Sequence, residues 1–140
     1  MKPKLIKISQ LVLEETLYPR MKEGWITVFR YKEAMKTGSV FPPVTIGLFE
    51  GKKYLIDGWH RVKALTLLGE THVLATLKKF ASESEMFTEA VRLNSTHGRQ
   101  LSGWDRVRIA RHLFHYDFTV EQISEITKMP VDTIKRFEAR

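Results

Sequence analysis

Leu55-Ile56-Asp57-Gly58-Trp59-His60-Arg61-Val62-Lys63-Ala64 is the stretch from which the fold can be read. Lys53 to Ile56 has the composition of a strand, and residues 59–68 read as a helix closed by Gly69. Asp57-Gly58 is therefore a strand-to-helix turn. A helix N-terminus offers backbone N–H groups and the positive end of the helix dipole. Gly58 permits close approach of a ligand, and His60, Arg61 and Lys63 add donors and charge. Together they describe a phosphate cradle without a Walker motif. The same residues also describe the charged first turn of an ordinary surface helix, and spacing alone does not separate the two. Trp59 either stacks on a base or packs beneath the turn.

Upstream, strand and helix signals alternate. Lys4 to Ile8 alternates polar and apolar with period 2. Residues 9–20 are mixed and end in Tyr18-Pro19-Arg20. Residues 25–37 read as a helix with Val28, Tyr31 and Met35 on one side and Gly38 as its stop. Pro42-Pro43 sets an extended entry into a strand at 44–49. Glu50-Gly51 is a hairpin turn, and His72 to Phe80 reads as a last strand.

Downstream, the pattern is helical. Ser82 and Glu85 match a capping box opening a helix to about Asn94, and Ser102 and Asp105 open a second in the same way. Thr119 and Gln122 form another box, with Phe118 and Ile123 at the staple positions. Pro130 suits the first position of a final helix running through Phe137. The division is thus residues 1–80 as an α+β domain and 81–140 as a helical segment.

Residues 119–137 resemble a DNA-binding helix–turn–helix. Ile123, Met129, Ile134 and Phe137 fall at its apolar contacts, and Ser124 is the small residue that lets the helices approach. Lys128 replaces the usual Gly at the turn, a left-handed position that Lys adopts at modest cost. The expected outer face carries Lys128, Val131, Asp132, Lys135, Arg136 and Arg140, with Lys135 and Arg136 suited to phosphates or guanine edges. The competing reading is two short helices completing a core.

Composition narrows the classes. Over 140 residues, 43% are hydrophobic and 28% charged, which suits a folded domain. No apolar run approaches the ~20 residues that span a bilayer. The N-terminus lacks the apolar core of a signal peptide, so no membrane partner and a cytoplasmic location are expected. The absence of cysteine excludes disulfides and thiol chemistry. The net charge is +7, and residues 1–80 carry 14 basic against 7 acidic side chains, so an anionic partner is expected.

The turn and the element order resemble the ParB/sulfiredoxin-like superfamily. Gly58, Arg61 and Ala64 match the ParB box Gly-Glu-Arg-Arg-x-Arg-Ala, with Lys63 in place of an Arg. That box contacts CTP phosphates in the family. Gly58, His60 and Arg61 match the sulfiredoxin box Gly-Cys-His-Arg, but Trp59 stands at the reactive cysteine, which excludes sulfiredoxin chemistry. Asp57, Gly58, His60 and Arg61 match the Asp-Gly-His-His-Arg of the free serine kinases. Pro19-Arg20 resembles the ParB Pro-Arg motif that helps close the nucleotide pocket. Leu93-Asn94-Ser-Thr-His97 resembles Glu-Asn-x-x-Arg, with Leu93 and His97 replacing the acid and the arginine.

The resemblance implies an α+β fold with a small mixed sheet, followed by the helix–turn–helix segment. It implies a nucleotide, CTP or similar, held by Arg20, Gly58, Trp59, His60, Arg61, Lys63, Asn94 and His97. Mg2+ would be held through Asn94. Hydrolysis is expected to be weak or absent, because Leu93 supplies no carboxylate. The implied function is binding of duplex DNA in partition or transcriptional control. The ParB C-terminal dimerisation domain has no counterpart, so a homodimer would form through other surfaces. The alternative is an enzyme of the same fold, a nuclease or a small-molecule kinase using Glu15 and Asp57. Asn94 and His97 also fit a helix C-cap, and Glu14 and Glu15 also fit solvated loop carboxylates. His112 and His115, three apart on a helix, are expected at the surface.

Overall fold

The hairpin at Glu50-Gly51 starts the architecture. Both residues have positive φ, 49° and 75°, which matches the twist of the two strands they join. A computed structural model of the protein describes residues 2–13, 24–95 and 103–138. In chain order its elements are β1 (Lys4–Lys7), a 3-10 turn (Ile8–Gln10), β2 (Leu11–Val12), α1 (Gly24–Lys36), β3 (Val44–Phe49), β4 (Lys52–Asp57), α2 (Trp59–Leu67), β5 (His72–Lys79), α3 (Glu83–Ser95), α4 (Gly103–His115), α5 (Val120–Thr127) and α6 (Val131–Lys135). The sheet order is β1-β5-β3-β4-β2. β3 runs antiparallel to β4 and parallel to β5, β1 is antiparallel to β5, and β2 is parallel to β4. The fold is therefore α+β with a mixed sheet, as expected. The short β2 lies in a stretch whose sequence is mixed, and it is held by pairing Leu11 and Val12 with Lys53 and Tyr54.

Alternation along the strands divides the core between two faces. Val44, Ile46 and Leu55 join Val62 of α2 and Val73 and Ala75 of β5 in one cluster. Ile56 points the other way, into a cluster built with Met86, Phe87, Ile109, Leu113, Ile123 and Ile134 from the helices. Helices α3 to α6 thus take part of their core from β4 of the first half. Gly47 lets α3 approach: a Cβ there would lie 2.7 Å from the Met86 Sδ. An ion pair between Lys78 and Glu89 adds a second tie between β5 and α3.

The helix termini follow their sequence signals. The Glu85 amide donates to the Ser82 hydroxyl, while the Glu85 carboxylate reaches the Ala81 amide. The box at Thr119 is complete, with both reciprocal bonds to Gln122 formed. Lys128 takes the left-handed conformation, φ 62°, and its amide caps α5 on the Ser124 carbonyl. Two expectations are adjusted. Pro130 is the N-cap of α6 rather than its first residue, and α6 ends at Lys135, with residues 136–138 continuing as a turn. The signals at Ser102 and Asp105 lie outside the described side chains.

His112 is a correction. Expected at the surface, it is half-buried on α4, its ring 4.2 Å from Phe87 and 4.9 Å from Tyr116. Its position on the inward side of α4 brings it onto Phe87 of α3, which a helical spacing of two histidines does not reveal. Burial pushes the imidazole below its ordinary value, with His115 and Arg108 adding to the shift and Glu83 opposing it. The Tyr116 hydroxyl is pushed up to about 12, first by burial and then by Glu83. A histidine lowered in the folded state binds fewer protons there than in the unfolded chain, so stability rises with pH between the two values. Its contribution is complete above the unfolded value of 6.5 and is lost as pH falls from there through the folded value. Urea midpoints measured from pH 8 to pH 5 are expected to fall in that window, and the fall should be smaller in His112→Gln.

Candidate functional site

The turn between β4 and α2 is organised around a buried guanidinium. Arg61 is 8% exposed. Its Nη1 donates to the carbonyls of Pro42 and Pro43, at 2.7 and 3.0 Å. Its Nη2 donates to the Asp57 carboxylate at 3.1 Å, and Asp57 is itself 9% exposed. Proline contributes carbonyls but no competing N–H, so the pair is a fixed acceptor. Arg61 therefore ties three segments together: the entry to β3, the end of β4 and the first turn of α2. A phosphate contact by Arg61 requires it to exchange or share these partners. Behind it, a cavity of about 320 Å³ is lined by Met35, Phe41, Leu65, Leu68 and His72.

Gly58 has a steric reason that its sequence context leaves open. It is the N-cap of α2 with φ 111°, and a Cβ there would lie 2.3 Å from Val44 Cγ1. The space that a side chain would fill is occupied by β3. The turn is a glycine because the sheet and α2 meet there.

The surface of the turn is aromatic and basic. Trp59 and His60 are half-buried, their rings 5.4 Å apart. Lys63 Nζ sits 5.6 Å from the centre of the Trp59 ring. Trp59 also meets Trp25 of α1 edge-on at 6.0 Å, and His60 meets Tyr31 at 6.0 Å. Trp59 thus packs between helices, with a face left for Lys63. α2 begins with no acidic residue and no capping side chain, a setting that suits an anion. A metal ion is less well served by the described donors. Asp57, the sole carboxylate of the 55–68 stretch, already accepts from Arg61, and no group of three His, Asp or Glu side chains gathers among the described residues.

Of the candidate residues, the structure brings Asp57, Gly58, Trp59, His60, Arg61 and Lys63 into this one turn. Glu15, Arg20, His97 and Arg140 lie outside the described residues, as does the side chain of Asn94 on α3. Far along the chain, Lys128, Asp132, Lys135 and Arg136 are exposed, whereas Val131 is half-buried against the helical core. Trp25 and the Pro42 and Pro43 carbonyls were not legible as parts of the site. The only available signal was the spacing of Trp25 and Phe29, one helical turn apart and off the apolar stripe of α1.

Comparison with known proteins places the fold. No family model matches the chain, and no curated protein matches its sequence. Solved structures do. The C-terminally truncated chromosome-partitioning protein ParB from Caulobacter crescentus, complexed to the centromeric parS site, is similar over 96% of this chain and 69% of its own, with TM-score 0.64 and 12% identity. The same protein complexed with CTP-gamma-S is similar over 98% and 77%, with TM-score 0.55 and 11% identity. A pNOB8-like ParB N-domain is similar over 97% and 57%, with TM-score 0.62 and 15% identity. The chain has a ParB/sulfiredoxin-like fold.

The clamp and the glycine make two separable stability predictions. Arg61→Ala leaves the Asp57 carboxylate buried without its cation and is expected to cost about 3–5 kcal/mol. Gly58→Ala is expected to cost at least about 2 kcal/mol through the left-handed backbone and the contact with Val44. Both are read by urea denaturation, and a loss under 1 kcal/mol in either would show that the turn is held by other contacts.

Proposed function

We propose that this chain is a ParB-like, nucleotide-linked binder of duplex DNA, acting in partition or transcriptional control. The observation that carries this is the α5–α6 pair on a ParB/sulfiredoxin-like fold. Ile123, Met129 and Ile134 bury the inner side of the pair, and the Ser124 hydroxyl donates to the Met129 carbonyl across it. The left-handed Lys128 sets the turn, and the other side presents exposed Asp132, Lys135 and Arg136. These features support reading the pair as a helix–turn–helix, with α6 as the element that enters the major groove. A solved neighbour carries parS DNA and another view of it carries CTP-gamma-S, which supports duplex DNA and a nucleoside triphosphate as the two ligands. One monomer offers few phosphate contacts, so tight binding calls for two copies reading two half-sites.

At the turn, the phosphates of a CTP-like nucleotide meet the first turn of α2, with His60 and Lys63 at the surface and Arg61 as the buried brace. Arg20, Asn94 and His97 complete the family's pocket in this reading, and Asn94 is the residue that would serve Mg2+. Asp57 is held as a partner of Arg61, a poor setting for the catalytic pair of a kinase.

Two measurements test the reading. Lys135→Ala combined with Arg136→Ala is expected to weaken duplex binding and to flatten its salt slope by up to about two units, with the fold intact. An unchanged slope would place any DNA contact elsewhere. CTP at 100 times its Kd is expected to raise stability by about 2.7 kcal/mol, and His60→Ala with Lys63→Ala to remove most of that response. A full response in that variant would move the nucleotide away from this turn.

A further inference from the structure

A row of aromatic rings runs across the outside of α1 and α2. Phe29 lies 6.3 Å from Trp25, Trp25 lies 6.0 Å from Trp59, and Trp59 lies 5.4 Å from His60. Trp25 and Phe29 are each 53% exposed, and Ile26 beside them is 61% exposed. The buried side of α1 is formed by Thr27 and Val28, so these rings are not the core of the helix turned outward by mistake of register. Leaving two large aromatics and an isoleucine in water on one helix marks a surface that meets something.

Charge says what kind of partner. α1 and α2 together carry Arg30, Lys32, Lys36, Arg61 and Lys63 against one acid, Glu33. Arg61 is neutralised by Asp57, and Lys36 lies 4.0 Å from Glu33. Arg30 follows Phe29 at the exposed face, and Lys63 lies over Trp59. The partner is therefore anionic and also has flat apolar faces to place on rings. A duplex fails the second condition, because its bases are stacked on one another and only their edges and phosphates are accessible. A single strand meets both: its bases stack on aromatic side chains and its phosphates pair with the interleaved cations.

We infer that the outer face of α1, with Trp59 of α2, is a stacking platform for single-stranded nucleic acid. It is separate from the duplex surface proposed above. α2 packs on the sheet face that carries Val44, Ile46 and Leu55, whereas α5 and α6 pack with the cluster that contains Ile56 on the opposite face. The two surfaces can be tested apart.

The experiment is a fluorescence titration with an oligo(dT) of roughly 16 nucleotides, the upper range of a small single-strand site. Two of the three tryptophans, Trp25 and Trp59, belong to the platform, so stacking reports itself as quenching. The parent protein is expected to be quenched in a salt-dependent manner, and a duplex of the same length to quench it far less. Trp25→Ala with Phe29→Ala should weaken oligo(dT) binding at least tenfold. Binding by that variant is followed by anisotropy of a labelled strand, because it has lost one reporter. Trp25→Tyr should restore most of the affinity, since it keeps a ring. Arg30→Ala should flatten the salt slope by about 0.7, the value for one phosphate of a single strand. Lys135→Ala with Arg136→Ala should leave the oligo(dT) titration unchanged even if duplex binding is lost or was never present. All three side chains of the platform variants are exposed, so far-UV circular dichroism is expected to match the parent. Unaltered affinity in the Trp25/Phe29 variant overturns the inference, as does quenching by duplex as strong as by the single strand. A parent that sediments as a dimer without nucleic acid, and as a monomer once Trp25 and Phe29 are replaced, also overturns it by assigning the face to a second copy.

Discussion

The Arg61 guanidinium is the interaction on which the rest of the turn depends. It is buried, charged and satisfied by three acceptors drawn from two other segments. A buried ion pair adds little net stability compared with a well-packed apolar pair, because desolvation offsets most of its attraction. Its value here is geometric. The two proline carbonyls and the Asp57 carboxylate fix where β3 begins relative to α2, and that sets the direction of the α2 N-terminus. Every group at the surface of the turn, from Trp59 to Lys63, inherits its position from this buried contact. Pro42 and Pro43, which lead into the central strand β3, are thus part of the candidate site without facing it.

The mixed sheet has a different role on each side. One face carries α2 and, through it, α1 with its ring-bearing surface. The other face carries α3, and the cluster that joins Met86 and Phe87 of α3 to Ile109 of α4 ties in the remaining helices. Adjacent residues of β4, Leu55 and Ile56, point into the two clusters. A disturbance of β4 is therefore felt by both the candidate nucleotide turn and the α5–α6 pair. The α3–α4 junction adds a titratable element, since His112 is packed on Phe87 and Tyr116 there.

The local elements were largely legible in the sequence, and the reason is that their signals are short-range. The Thr119–Gln122 box, the Glu50-Gly51 turn and the strand-to-helix break at Gly58 each depend on residues within four positions of one another. The left-handed Lys128 was also readable, because it stands at the turn position where the helix–turn–helix that residues 119–137 resemble carries a Gly. β2 was not readable: two residues make no period, and only pairing with Lys53 and Tyr54 makes them a strand. The burial of His112 departs from its sequence pattern for a related reason, since helical spacing says which residues share a face and not which face another helix will cover.

The sequence by itself determined the α+β class, the order of the elements other than β2, the resemblance to the ParB/sulfiredoxin-like superfamily and the turn at Asp57-Gly58. The class, the order and the turn follow from composition and periodicity, and the resemblance rests on matched motif residues such as Gly58, Arg61 and Ala64; all are properties of neighbouring residues. Only the tertiary structure decided what the turn is made of. Gly58 is glycine because Val44 occupies the place of its side chain, and Arg61 faces inward because carbonyls 18 and 19 positions upstream accept from it. Trp25 and Trp59, 34 positions apart, form one surface because α1 and α2 pack side by side. Contacts of that range arise only when the chain has folded, since no local rule links residues so far apart in sequence.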